Sequence, residues 1–196
     1  MREFRQFSDK NLSIGLFGGS FDPPHEGHLK IAKDALSRFE LDWVWWFVTP
    51  QNTLKSVSPQ PLAERIKLCQ KMLIKEHKML VSDLESLLNF QDTIQLVTFL
   101  QNHCPNKYFW IAGSDTLAAF HKWPGWQDIL GRIKMIVYDR PGWLFKDIKH
   151  QITQDLLSKQ IDVNEFIKAE TLPPAWTLVL EQALNISSTQ IRSERC

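Results

Sequence analysis

Short apolar stretches rich in β-branched and aromatic residues recur along the chain. They fall at Leu12–Phe17, Trp43–Val48, Met79–Ser82, Tyr108–Ala112, Ile133–Tyr138 and Trp176–Leu180. Several are continuous apolar runs rather than alternations, the pattern of parallel strands covered on both faces. Helical patterns lie between them, over His25–Phe39, Leu62–Lys75, Thr93–His103, Asp115–Phe120 and, more polar, Thr153–Lys168. Within Thr93–His103, Ile94, Val97 and Leu100 stand at helical spacing and suit packing on a sheet. Strands alternating with helices predict an α/β fold: a doubly wound, mostly parallel sheet flanked by helices. No repeat or low-complexity segment breaks the alternation, and 196 residues suit a single domain over 1–196. In such sheets ligands bind beyond the carboxyl ends of the strands, where the strand order reverses. The loops after the strands are therefore where chemistry is expected.

Composition removes several function classes. There are 23 Lys and Arg against 22 Asp and Glu, a net charge of +1. With no basic run, that excludes a strongly basic nucleic-acid binder. The longest apolar run, Trp43–Val48, is far below the roughly 18 residues of a membrane helix. The opening MREFRQFSDK has no apolar signal core. A cytoplasmic protein without membrane or nucleic-acid partners is expected. Cys69, Cys104 and Cys196 are odd in number and lack metal-ligand spacing, so they read as reduced thiols, the first two in packing. Eight tryptophans supply core mass and flat rings for stacking. Trp45 and Trp46 lie inside a strand and are assigned to core or interface packing.

The richest segment follows the first strand: Gly18-Gly19-Ser20-Phe21-Asp22-Pro23-Pro24-His25-Glu26-Gly27-His28. Glycines without side chains let backbone N–H groups close on a phosphate. Pro24 suits a helix start. His25 and His28, three apart, face the same side of a first helical turn, and a helix N-terminus favours an anion. Two imidazoles, a glycine loop and a helix start converge on one anionic site. A zinc site would need further ligands; Asp22 and Glu26 are poorly placed for it, and no Cys is near in sequence.

This segment resembles the nucleotidylyltransferase motif, whose core is His-x-Gly-His. Near the other end, Ile186-Ser187-Ser188-Thr189-Gln190-Ile191-Arg192 resembles the Ile-Ser-Ser-Thr-x-Ile-Arg signature of the same superfamily. Three stretches narrow the resemblance to bacterial nicotinate-nucleotide adenylyltransferases. Pro50-Gln51-Asn52-Thr53-Leu54-Lys55 is similar to their Pro-x-x-Asn-Pro-x-Lys, with Thr53 for the second proline and one residue fewer before the Asn. Ile111-Ala112-Gly113-Ser114-Asp115 resembles their Gly-x-Asp, and Trp123-Pro124-Gly125-Trp126 their tryptophan segment. Arg140-Pro141-Gly142 matches a family turn. Where relatives carry Tyr-Thr-x-x-Thr-Leu, this chain has Asn89-Phe90-Gln91-Asp92-Thr93-Ile94 and keeps only the second Thr.

The resemblance implies a Rossmann-like sheet and transfer of AMP from ATP to nicotinate mononucleotide, giving deamido-NAD and pyrophosphate. It implies catalytic roles for His25, His28, Lys55 and Arg192. ATP is expected at Gly18, Gly19, Ser20, Gly113, Asp115, Ser187, Ser188 and Thr189. The pyridine nucleotide is expected at Phe90, Thr93 and Trp123, with Trp123 stacking on the ring. Mg²⁺ is expected on the ATP phosphates, held through water rather than in a protein site. Nicotinamide mononucleotide is the alternative acceptor. A non-catalytic nucleotide-binding module of the same fold is the alternative of a different class. Oligomeric state stays open.

Overall fold

In the computed structural model six parallel strands lie side by side in the order β3-β2-β1-β4-β5-β6. The structure describes residues 7, 11–50, 59–140, 142–168, 172–180 and 188–193. The strands are β1 (Ser13–Gly19), β2 (Trp43–Val48), β3 (Met79–Ser82), β4 (Lys107–Gly113), β5 (Lys134–Tyr138) and β6 (Trp176–Val179). Every pairing is parallel, so the expected mostly parallel sheet is wholly so. The order reverses between β1 and β4, the switch point where doubly wound sheets bind ligands.

The register opens a crevice there. β1 stays paired with β2 as far as Gly19↔Val48, and β4 with β5 as far as Gly113↔Tyr138. Between β1 and β4 the pairing stops earlier, at Phe17↔Ile111. Gly18 and Gly19 thus belong to the strand rather than to the expected loop. Their missing side chains serve packing: a Cβ on Gly18 would stand 2.8 Å from the Trp110 ring, and one on Gly19 3.2 Å from the Phe21 ring.

Each face of the sheet carries its own core, and neighbouring strand residues divide between them. Trp45 joins the cluster with Trp110, Leu96 and Leu100. Trp46 joins the opposite one with Phe21, Ala32 and Cys69. Both indoles are fully buried, as core rather than interface residues. Helix α1 (Glu26–Arg38) approaches the sheet closely because its buried residues are small: Gly27, Ala32 and Ala35. Helix α2 (Leu62–Met72) packs on the same side. On the other side lie α3 (Leu84–Leu87), α4 (Thr93–His103), α5 (Ser114–Phe120) and α6 (Trp126–Arg132). Cys69 and Cys104 are buried as expected; burial pushes the Cys69 thiol up to about 12 and so keeps it inert.

The buried face of α4 is Leu96, Val97 and Leu100, and Ile94, partly buried, packs against the same core as expected. Ile94 also meets the turn before α6, where a Cβ on Gly125 would stand 3.5 Å from the Cβ of Ile94. One expectation needs correction. The polar stretch Thr153–Lys168 is not one helix. After α7 (Phe145–Ile148) it forms α8 (Gln154–Leu157) and α9 (Val163–Lys168). Between them the chain runs extended to cover the edge of β6, with Ile161 N–H donating to Trp176 O at 2.9 Å.

One buried side chain ties the carboxyl ends of β1 and β2 together. Arg65 of α2 is 1% exposed. Its Nη1 donates to Ser20 O at 2.6 Å and Thr49 O at 2.8 Å. Nη2 donates to Pro50 O at 2.9 Å, and Nε to Gln60 O at 2.8 Å. Arg65→Leu leaves those carbonyls without their donor and is expected to cost about 3 kcal/mol or more. Arg65→Lys is expected to restore only part, because an ammonium cannot span the planar fork of contacts. Urea denaturation at pH 7 checks both; a Leu variant with an unchanged midpoint would remove Arg65 as the tie.

Candidate active site

The chain leaving β1 turns at Phe21, whose backbone sits at φ 45, and passes Asp22 and two prolines to reach α1. His25 is the N-cap, extended at φ −147 and ψ 168, and not part of the first turn. The two imidazoles nevertheless meet as expected, with ring centroids 3.8 Å apart. The reason is a backbone contact: His25 N–H donates to His28 Nδ1 at 3.2 Å. An accepting Nδ1 puts the proton of a neutral His28 ring on Nε2, leaving that N–H as its donor. Beneath it, Phe21 meets the His28 ring at 5.0 Å and stacks on Trp46 at 4.7 Å.

His25 is buried, not open to solvent as a cleft residue would be. Neither of its ring nitrogens has a hydrogen-bond partner among the described residues. Burial, with the nearby Arg140 charge, lowers its pKa to about 4. At neutral pH His25 is therefore an uncharged ring with an unused N–H. The permanent charge beside it belongs to Arg140, which sequence reading noted only as part of a turn.

Arg140 follows β5. Its Nη1 meets Asp115 Oδ2 at 2.8 Å, and its backbone N–H donates to Ser114 Oγ at 3.1 Å. A Cβ on Gly113 would stand 2.4 Å from Asp115 Oδ1 and 2.5 Å from Arg140 Cδ, so any side chain here would displace that ion pair. Gly113 is the N-cap of α5. Asp115 Oδ1 is buried without a partner among the described residues, a spare acceptor at the mouth of the crevice.

The two distant motifs also meet. Helix α10 (Ser188–Ser193) docks on the loop before α1. Ser188 Oγ donates to Pro23 O at 2.9 Å, while Arg192 donates to Asp22 O and lies 3.5 Å from its carboxylate. Lys55 and Ser187 lie outside the described residues, as does the side chain of Thr189.

The pyridine-site candidates are placed differently from one another. Trp123 packs edge-on against Trp110 at 5.8 Å, and Trp110 in turn lies under Gly18. Trp123 therefore stands at the carboxyl side of the sheet, partly exposed. Thr93 opens α4 but does not cap it; Asp92 is the N-cap. The Phe90 ring turns toward Phe99, 5.8 Å away along α4. The backbone amides at the start of α4 are partly engaged. Phe90 N–H donates to Glu85 O at 2.8 Å. Gln91 and Asp92 donate to Gln95 Oε1 at 2.8 and 3.0 Å. The Gln95 oxygen holds two N–H groups that a carboxylate oxygen would also suit.

Glu85 went unnoticed in the sequence, where it looks like any surface acid of a short helix. It is 8% exposed, and burial pushes its carboxyl up to about 7 against a hydrogen bond from the Thr49 side chain. Arg65 was missed for a similar reason: an arginine in an amphipathic helix normally faces water.

Among the described residues no three His, Cys, Asp or Glu side chains form a metal-holding group. Asp22 and Asp115 are already paired with arginines. No helix of the described residues is long and apolar enough to cross a membrane.

Residues 16–194 match the family model described as cytidylyltransferase-like. The chain is 35% identical over 184 residues to the probable nicotinate-nucleotide adenylyltransferase of Brucella abortus, covering 92% of this chain and 94% of that one. It is 36% identical over 184 residues to the protein of the same name from Ruegeria, covering 92% and 96%. The fold is similar to Plasmodium falciparum nicotinic acid mononucleotide adenylyltransferase complexed with NaAD, with TM-score 0.69 and 18% identity over 93% of this chain and 83% of that one.

His25 and Glu85 bias stability in opposite directions. His25, depressed from 6.5 to about 4, makes stability rise with pH across that window. Glu85, raised from 4.5 to about 7, contributes stability that is lost as pH rises through that window. The slopes overlap and largely cancel. Glu85→Gln is expected to unmask a stability that climbs from pH 4 to 6.5, and His25→Asn one that falls from 4.5 to 7. Urea midpoints measured against pH check this; unchanged profiles in both variants would contradict the burial of these charges.

Proposed function

The chain belongs to the cytidylyltransferase-like family and, within it, to the nicotinate-nucleotide adenylyltransferases, and we infer that it transfers AMP from ATP to nicotinate mononucleotide. The products are deamido-NAD and pyrophosphate. The observation that carries the reading is the pair of imidazoles at the mouth of the β1–β4 crevice, 3.8 Å apart and beside Arg140.

A phosphate oxygen of the mononucleotide attacks the α-phosphorus of ATP in line. The new P–O bond forms as the bond to the β-phosphate oxygen breaks, and pyrophosphate leaves with the electron pair. The attacking oxygen is already anionic, so no general base is required. The barrier lies in bringing two anions together and spreading charge over the α-phosphoryl and the leaving group. Catalysis is positioning and electrostatics. His28 donates through Nε2–H to the α-phosphoryl, and His25 through its unused N–H to a neighbouring phosphate oxygen. Arg140, Arg192 and Lys55 supply permanent positive charge; the first two exchange their aspartates for phosphate as the substrates bind. The Gly18–Ser20 backbone with Ser187, Ser188 and Thr189 completes the ATP cradle. Asp115, with Oδ1 unpaired, accepts from a ribose hydroxyl beside Gly113. Trp123 stacks on the pyridine. A Mg²⁺ ion brought in with ATP would lower the repulsion between its phosphates and the incoming phosphate.

Selectivity for the acid over the amide comes from the start of α4. A nicotinate carboxylate takes over the Gln91 and Asp92 N–H groups from Gln95 Oε1 and gains charge-assisted hydrogen bonds with Thr93 beside them. A carboxamide offers one neutral acceptor, and its NH₂ meets the same donors head-on.

The test supplies ATP and Mg²⁺ with each mononucleotide and measures pyrophosphate and dinucleotide. Nicotinate mononucleotide is expected to win by on the order of 10²-fold in kcat/KM. A preference for the amide would sink the nicotinate assignment, and no product from either would sink the enzyme. His28→Ala is expected to lower kcat by roughly 10²–10³-fold, the scale of one lost transition-state donor. Near-native turnover in a folded variant would remove His28 from the reaction.

A further inference from the structure

His28 is half-buried and held by two kinds of contact. Its Nδ1 accepts from His25 N–H at 3.2 Å, which anchors one atom of the ring. One hydrogen bond of that length does not by itself fix the plane of an imidazole. Aromatic neighbours do. Phe21 meets the His28 ring at 5.0 Å with the planes 68° apart, and the His25 ring lies 3.8 Å away. Phe21 in turn lies flat on Trp46, with centroids 4.7 Å apart and planes within 20°. Phe17 braces both from the side, 5.5 Å from Phe21 and 5.4 Å from Trp46.

Both rings of this stack sit at a cost that packing alone would avoid. Phe21 is at φ 45, a left-handed conformation strained for a bulky side chain and better served by glycine in a simple turn. Trp46 is fully buried, and its Nε1 has no hydrogen-bond partner among the described residues. A phenylalanine would fill that strand position without an orphaned donor. Gly19 makes room for the arrangement, since a Cβ there would press on the Phe21 ring at 3.2 Å. The turn, the strand and the glycine all favour a flat Phe21 ring beneath His28.

We propose that Phe21, seated on Trp46, is a positioning residue for the transfer: it sets the plane of the His28 imidazole and so the direction of its Nε2–H. The proposal rests on the reading that His28 donates to the α-phosphoryl. A donor aimed at charge that develops in the transition state is effective only when it is held in place beforehand. A ring that swings loses turnover, while ATP and the mononucleotide, held by other groups, still bind.

The experiment measures kcat and both KM values, with thermal melts, in Phe21→Leu, Trp46→Leu and Trp46→Phe, each alone and combined with His28→Ala. Phe21→Leu and Trp46→Leu are each expected to lower kcat about tenfold and to leave both KM values within about twofold. Trp46→Phe keeps a flat ring under Phe21 and should recover kcat to within about threefold of wild type, although its melting temperature falls with the lost volume. On the His28→Ala background every one of these changes should alter kcat by less than about twofold, because the effect passes through the missing ring. A full loss on that background, a rise in KM without a fall in kcat, or Trp46→Phe as slow as Trp46→Leu would overturn the proposal. If Phe21→Leu does not fold, the Trp46 variants decide by the same criteria. Nitrogen NMR of the histidine rings, with His28 assigned by its loss in His28→Ala, reads the contact without turnover. A single sharp His28 signal in wild type and a broadened or doubled one in Trp46→Leu is expected; identical signals would overturn the proposal. A wild type that makes no deamido-NAD defeats the functional reading, and the NMR result then judges the ring contact separately.

Discussion

A guanidinium buried away from water is the constraint on which the rest of the site depends. Arg65 reaches from α2 beneath the sheet's carboxyl edge and donates to four backbone carbonyls, those of Ser20, Thr49, Pro50 and Gln60. Burial lowers its pKa, and the charge of Asp22 works against that shift. The arrangement is stable because each carbonyl needs a donor as much as the guanidinium needs acceptors. Its consequence is geometric. Ser20 after β1 and Thr49 and Pro50 after β2 belong to different strands' ends, yet one side chain ties them together.

On that platform the site separates its charges. His25 is held neutral by burial and by Arg140, and so offers a hydrogen bond without a charge. The fixed cations, Arg140 and Arg192, are held by Asp115 and Asp22. In the proposed reaction the phosphates of the substrates would replace those carboxylates on cations that the ion pairs already hold in position.

The crevice itself is a matter of register. Pairing between β1 and β4 ends two residues before β1 does, because their chains diverge into loops on opposite faces. Glycine at 18, 19 and 113 keeps the walls thin. At 18 and 113 a side chain would collide with a neighbour that the site uses or rests on, and at 19 it would press on the Phe21 ring. The tryptophans are divided by the same geometry. Trp45, Trp46 and Trp110 fill the two cores, while Trp123 leans on Trp110 at the rim.

The alternation of apolar runs and amphipathic stretches determined the α/β class and every strand to within two residues at either end, because strand burial writes itself into hydropathy. The motifs around His25, Asp115, Trp123 and Arg192 were legible for a related reason: each is a local cluster of chemically committed residues. What sequence alone left undetermined depends on contacts between distant positions. Arg65 and Glu85 look like solvated charges on helices, and only the packing of α2 and α3 against the ends of β1 and β2 buries them. Arg140 reads as a turn until β5 is set beside β4 and its charge falls next to His25. The contact of Ile94 with the turn at Gly125 is likewise one that no helical period contains. Local periodicity decides which segments are strands and helices; which charges lose their water is decided only when those segments meet, since desolvation is a property of the assembled neighbourhood and not of the residue.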